Sequence, residues 1–190
     1  MKRSKIEAAE TRRRIVKMAA AEFRRKGINA TGLNDVMAAA GLTHGGFYRH
    51  FASKDQLVAE ACAAALGSDA DASEVPACPA LSKDDLEAIL AEYLSADHRD
   101  NPSQGCALAG LGSELARSDE ETRAAATDGV AKLVDVFAQH YGRTDPETAR
   151  ARALVAVSAM IGAITLARIV TDPKLSTAIL RSAKKHLAAM

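Results

Sequence analysis

Gly41-Leu42-Thr43-His44-Gly45-Gly46-Phe47-Tyr48-Arg49-His50-Phe51-Ala52-Ser53-Lys54-Asp55-Gln56-Leu57 is the stretch that decides how this 190-residue chain reads. Upstream, Thr31 stands as an N-cap for a short helix running to Ala40, with Val36 and Met37 inward. Gly41 ends that helix, and Thr43 caps a second one over His44–His50. Phe47 and Phe51 lie four apart and anchor it in a core. Two short helices joined by three residues form a helix-turn-helix, whose second member enters the major groove of a duplex while the first crosses the backbone. Two adjacent glycines cost about 1 kcal/mol each against alanine in a helix. A helix placed only for packing has little reason to carry them, whereas a bare backbone can approach bases or phosphates closely.

The flanking helices follow from period and caps. Ile15, Ala19 and Phe23 recur every fourth residue, which predicts a helix over about Glu7–Lys26, stopped by Gly27. Ser53 through Gln56 has the capping-box pattern and opens a helix to about Leu66. Beyond a Ser68–Leu81 segment rich in Ala, Asp, Ser and Pro, helices are expected over 84–94, 106–117, 118–141, 146–170 and 175–188. The last but two opens with a second capping box, Ser118 to Glu121, and closes at Gly142; Asp145-Pro146 launches the next. Residues 97–102 read as a turn. No stretch alternates as a strand does, so the expected fold is all-α with nine helices. The domains divide as 7–66 and 67–190.

Charge separates the same two parts. Up to Lys54 there are twelve Lys and Arg against four acids, giving +8 in a chain of net charge +1, so the remainder carries −7. A basic first third fits a nucleic-acid module joined to something that does not touch nucleic acid. Arg12-Arg13-Arg14 and Arg24-Arg25-Lys26 fit phosphate clamps or a solvated face equally well. Lys2, Arg3 and Lys5 read as a flexible arm adding salt-dependent affinity.

Thr31 through Leu57 resembles the signature of the TetR family. That resemblance implies a dimer whose two heads bind an inverted-repeat operator in double-stranded DNA. It carries functional positions onto Thr31 and Asn34, and onto Thr43, His44, Gly46, Tyr48, His50 and Lys54. His44, Gly45, Gly46 and Arg49 are the expected base readers, and the others backbone contacts. Repression is the family default, with an activator or a ligand-independent DNA binder of the same fold as the alternative. An effector, a small molecule or an electrophile, is expected in the C-terminal part.

In that part, Ala153, Ala156, Ala159, Gly162 and Ala163 are small enough for close helix approach, with Leu154, Val155, Val157, Ile161, Ile164 and Leu166 around them. Such a helix is expected to be buried on both sides, one of them in a homodimer seam. Cys106, in the first turn of a helix, is the candidate sensor: the positive helix end favours its thiolate. A Gly-Cys pair there is similar to electrophile- or oxidant-sensing branches of the family, and a small apolar core residue is the other reading. Tyr93, Leu111, Phe137, Tyr141, Met160 and Ile164 could line an apolar pocket or simply fill a helical core.

Other classes of function find little support. Cys62, Cys78 and Cys106 have no metal-type spacing, and His44 and His50, six apart, share no helical face, so no metal or cofactor is expected. The carboxylate pairs Asp84-Asp85 and Glu120-Glu121 sit at helix starts, where capping explains them. No phosphate loop or nucleophile elbow is present, so no catalysis is expected. The apolar run from Ala153 falls short of the ~20 residues of a bilayer span, and the start lacks a signal-peptide core. The expected location is the cytoplasm.

Overall fold

A computed structural model describes residues 2–67, 83–141 and 145–190. The expected linker with Cys78, and the stop at Gly142, lie outside these residues. Among the described residues there is no strand. Among the described residues nine α-helices run in the order α1 (Lys2–Lys26), α2 (Leu33–Ala39), α3 (Lys54–Ala65), α4 (Lys83–Tyr93), α5 (Ala96–Asp100), α6 (Ala107–Leu115), α7 (Glu120–Tyr141), α8 (Pro146–Ile169) and α9 (Pro173–Ala188). Short 3-10 helices cover His44–Arg49 and Pro102–Gln104.

The total agrees with expectation, but the members differ. The segment expected as a third, very short helix is a 3-10 helix, and the turn expected at 97–102 overlaps α5, capped by Ser95 Oγ accepting the His98 N–H at 3.0 Å. The expected N-terminal arm is the first turn of α1. Two caps move, and one capping box closes differently. Gly32, not Thr31, precedes α2, with the Asp35 carboxylate accepting the Gly32 N–H at 3.1 Å. Asp119, not Ser118, caps α7 by accepting the Thr122 N–H at 2.8 Å, because a carboxylate one residue closer offers a charged acceptor to the orphan amides. Ser118 instead donates back to Glu114 O at 3.0 Å. Before α3, Ser53 Oγ accepts the Gln56 N–H at 3.1 Å, while Gln56 Oε1 reaches the Ala52 N–H rather than that of Ser53. Asp145 caps α8 as expected, accepting from Glu147 and Thr148.

The chain forms two compact units that do not meet at a single point in the sequence. The N-terminal segment forms the first unit with Cys106–Gly129; the segment ending at Gly105 and Val130–Met190 form the second. In the first, α1 packs on α2, α3 and α6. Its core joins Ile15, Ala19 and Phe23 to Val36, Met37, Phe47, Phe51, Leu57 and Val58, closed by Leu111 and Leu115 of α6. The second unit pairs α8 with α9 and sets α4 on α9.

Helix α8 is long and apolar enough to cross a membrane by length and composition alone. Burial within its own unit accounts for part of that character: Ala149, Ala153, Ala156, Val157, Met160, Ala163, Ile164 and Ala167 are buried. Most of the small residues expected at a dimer seam therefore face inward. Left exposed are Leu154, Val155, Leu166 and Ile169, with Leu175 on α9.

Candidate nucleic-acid interface

The turn between the two short helices is fixed by backbone geometry. Gly41 adopts φ +72°, which an L side chain rarely tolerates. Its N–H reaches Ala38 O at 3.0 Å, and the Leu42 N–H reaches Met37 O at 2.8 Å, closing the end of α2. The 3-10 helix is held from below by Phe47, fully buried, and Phe51, whose rings stack with centroids 5.4 Å apart. Burying these rings turns the opposite side of the same short helix to solvent.

On that outer side Thr43, His44, Gly45, Tyr48 and Arg49 are exposed, with Asn34 exposed on α2. Tyr48 is 67% exposed, an unusual position for an aromatic that the core does not require. It stands edge-on to both Phe47 and His44. Gly46 and His50 are half-buried. Neither Gly45 nor Gly46 has the positive φ of Gly27, Gly41 and Gly67. A Cβ built on Gly45 meets nothing within 4 Å, and one on Gly46 makes only an ordinary contact with Met37 Cε at 3.6 Å. The fold itself thus gives no reason for glycine at either position.

Two expected contact residues are used internally. Thr31 is fully buried, its hydroxyl donating to Gly27 O at 2.7 Å, which removes it from the surface as a phosphate contact. The hydroxyl serves the turn after α1, where Gly27 at φ +92° leaves a carbonyl to be satisfied. Lys54 is half-buried and donates to Ile28 O at 2.7 Å. Its ammonium has three protons, so this bond leaves donors for a phosphate.

The basic runs separate in the same way. Arg12 lies 4.2 Å over the Phe51 ring and donates from Nε to Glu60 at 3.1 Å, so it braces α1 against α3. Arg13 and Arg14 are exposed. Arg25 and Lys26 pair with Glu22, and the Arg25 bond holds the Glu22 carboxyl below its ordinary range. Burial lowers the pKa of Arg24, opposed by its electrostatic interaction with Cys106.

Cys106 is the half-buried residue that precedes α6. Cys62 is buried, and burial pushes its thiol up to about 11. It lines a small apolar cleft of about 240 Å³ that includes open solvent, beside Phe23, Ile28, Val58, Ala107 and Leu111. The candidate pocket residues divide accordingly. Leu111 belongs to the first unit, while Phe137, Tyr141, Met160 and Ile164 are buried in the second, where Tyr93 is half-buried. No three His, Cys, Asp or Glu side chains converge as a metal site among the described residues. The internal partners of Arg12 and Lys54 were invisible in sequence, because they lie 48 and 26 residues away.

Comparison with known proteins places this geometry. The family model for bacterial regulatory proteins of the tetR family matches residues 15–61, and that for the LmrA/YxaF-like transcriptional regulator C-terminal domain matches 83–186, more than half of the chain. The probable acrEF/envCD operon repressor of Escherichia coli K12 is 44% identical over 59 residues, 31% of this chain and 27% of that protein. The regulator TtgR of Pseudomonas putida is 41% identical over 58 residues, 30% of this chain and 28% of its own. The matched stretch thus spans little more than a quarter of these relatives. A TetR transcriptional regulator from Chloroflexus aurantiacus superposes with a TM-score of 0.72 at 28% identity, covering 96% of this chain and 94% of its own. The reduced form of E. coli NemR gives 0.76 at 20% identity, covering 95% and 96%, a likeness of fold.

Proposed function

We propose, on the premise that the chain belongs to the TetR family of transcriptional regulators, that it is a cytoplasmic repressor binding an inverted-repeat operator as a homodimer. One observation carries the reading: a glycine at position 45 that neither the backbone angle nor the packing requires, on an exposed face with Thr43, His44, Tyr48 and Arg49. A bare backbone there suits close approach to a duplex, and His44, Gly45, Gly46 and Arg49 would meet base edges. Asn34, Thr43, Tyr48, His50 and Lys54 would hold phosphates.

The outward stripe of α8 supports pairing with a second copy. Val155, Ser158, Gly162, Leu166 and Ile169 recur at intervals of three and four, on one helical face. Val155, Leu166 and Ile169 are at least half exposed, and a Cβ on Gly162 meets nothing within 4 Å. A second copy crossing at Gly162 would cover them isologously.

Release would follow from an effector that prefers the conformation with the heads misplaced. Covalent modification of Cys106 is one such route, supported by its place before α6 and beside the Arg24 charge. Release of a Cys106→Ser variant by an electrophile at the parent's concentration would remove that route.

The test of the main reading is selection of bound duplex from a random pool, with sedimentation to give the mass in solution. An inverted repeat and a dimer are expected. A monomer with no preference among duplexes at moderate salt overturns the proposal.

A further inference from the structure

Three consecutive residues between α1 and α2 have their backbone groups taken by side chains. Thr31 donates to Gly27 O at 2.7 Å, Lys54 of α3 donates to Ile28 O at 2.7 Å, and the Asn29 N–H donates to Glu114 Oε1 of α6 at 2.9 Å. The Glu114 carboxylate also lies against Gly27: a Cβ there would stand 3.0 Å from Oε2. Of the three partners, Glu114 alone comes from outside residues 15–61, the stretch matched by the N-terminal family model. We propose that Glu114 is a positioning residue for DNA binding. It fixes the turn that carries α2 and the exposed 3-10 helix, without touching DNA itself.

Stability alone does not select an acid at this place. The carboxylate lies at the C-terminal end of α1, the negative pole of the helix, where an anion is disfavoured. A glutamine would accept the same N–H without that cost. What the carboxylate adds is a shorter, more directional bond to one amide. That bond holds the direction in which the chain enters α2. Because α6 packs on α1, a shift of α6 moves the acceptor and with it the turn.

The inference rests on the DNA-binding reading, and the sign of one effect separates positioning from bulk charge. Removing a negative charge from a protein that binds phosphates strengthens binding when charge is all that matters. Removing a positioning carboxylate weakens it. Glu114→Ala and Glu114→Gln are compared with the parent on the selected duplex, with melting curves and hydrogen exchange at the Asn29 amide. Expected are affinity lower by about tenfold in Glu114→Ala, the fold-change equivalent to ~1.4 kcal/mol, and faster Asn29 exchange. Glu114→Gln, which keeps an acceptor but not the charge, falls between Glu114→Ala and the parent in both, and melting in each stays cooperative. Binding by Glu114→Ala as tight as the parent's or tighter, or a Glu114→Gln variant as weak as Glu114→Ala, overturns the proposal. A parent that binds no duplex fails the DNA-binding reading itself, before any variant is compared.

Discussion

Replacing Gly45 by alanine separates the two reasons a protein keeps a glycine, namely its own fold and something outside it. The added methyl meets no protein atom within 4 Å, and the φ at this position lies outside the left-handed region. The fold therefore gains, by about 0.5–1 kcal/mol, from the reduced freedom of the unfolded chain. For a chain of this size that raises the melting temperature by roughly 1–4 °C. DNA binding should move the other way. If the 3-10 helix approaches a base edge or phosphate closely, an extra methyl costs about 1–3 kcal/mol per head, as overpacking does in a core. At tenfold per 1.4 kcal/mol that is roughly 5- to 150-fold weaker binding for each head. The assay is a fluorescence titration against the selected duplex at several salt concentrations, with calorimetric melting on the same samples. An unchanged slope of affinity against salt with lower affinity is expected, since no phosphate contact is deleted. Equal affinity for parent and variant would refute the reasoning, and so would a fall in melting temperature.

Further outcomes follow from other residues. Thr31→Val removes the hydroxyl from the Gly27 carbonyl and should lower stability by about 1–2 kcal/mol, seen in urea melts, with the salt slope of DNA binding unchanged. Gly162→Leu puts a branched side chain where two copies of α8 would cross; sedimentation should show a monomer at concentrations where the parent is dimeric, with melting changed little. Cys62, with its thiol at about 11, should hold about one part in a thousand as thiolate at pH 8 and resist alkylation until the protein unfolds, as peptide mass mapping would show. Because that folded value is raised, stability is complete below about pH 9 and declines as pH climbs toward 11. The Asp119 carboxyl is lowered chiefly by the Thr122 N–H, so its contribution is present above about pH 4 and lost as pH falls further; Asp119→Asn should flatten the acid limb of a melting-temperature profile.

Sequence by itself determined the features that local chemistry controls. The spacing of Ile15, Ala19 and Phe23 fixed the buried face of α1, and Phe47 with Phe51 fixed the inner side of the short helix, because side chains three or four apart share a helical face whatever surrounds them. Gly41 and Asp145-Pro146 marked an end and a beginning through their own backbone preferences. Tertiary structure alone decided which polar groups would be left for a partner. Lys54 looks like a wholly free surface donor in sequence, yet the Ile28 carbonyl takes one of its protons once α3 packs on α1. Glu114 reaches the same turn from 85 residues away, and no local pattern encodes a contact across that separation. The small residues of α8 divide likewise: Ala153, Ala156 and Ala163 turned inward and Gly162 outward, since the direction of a face is set by what packs against it.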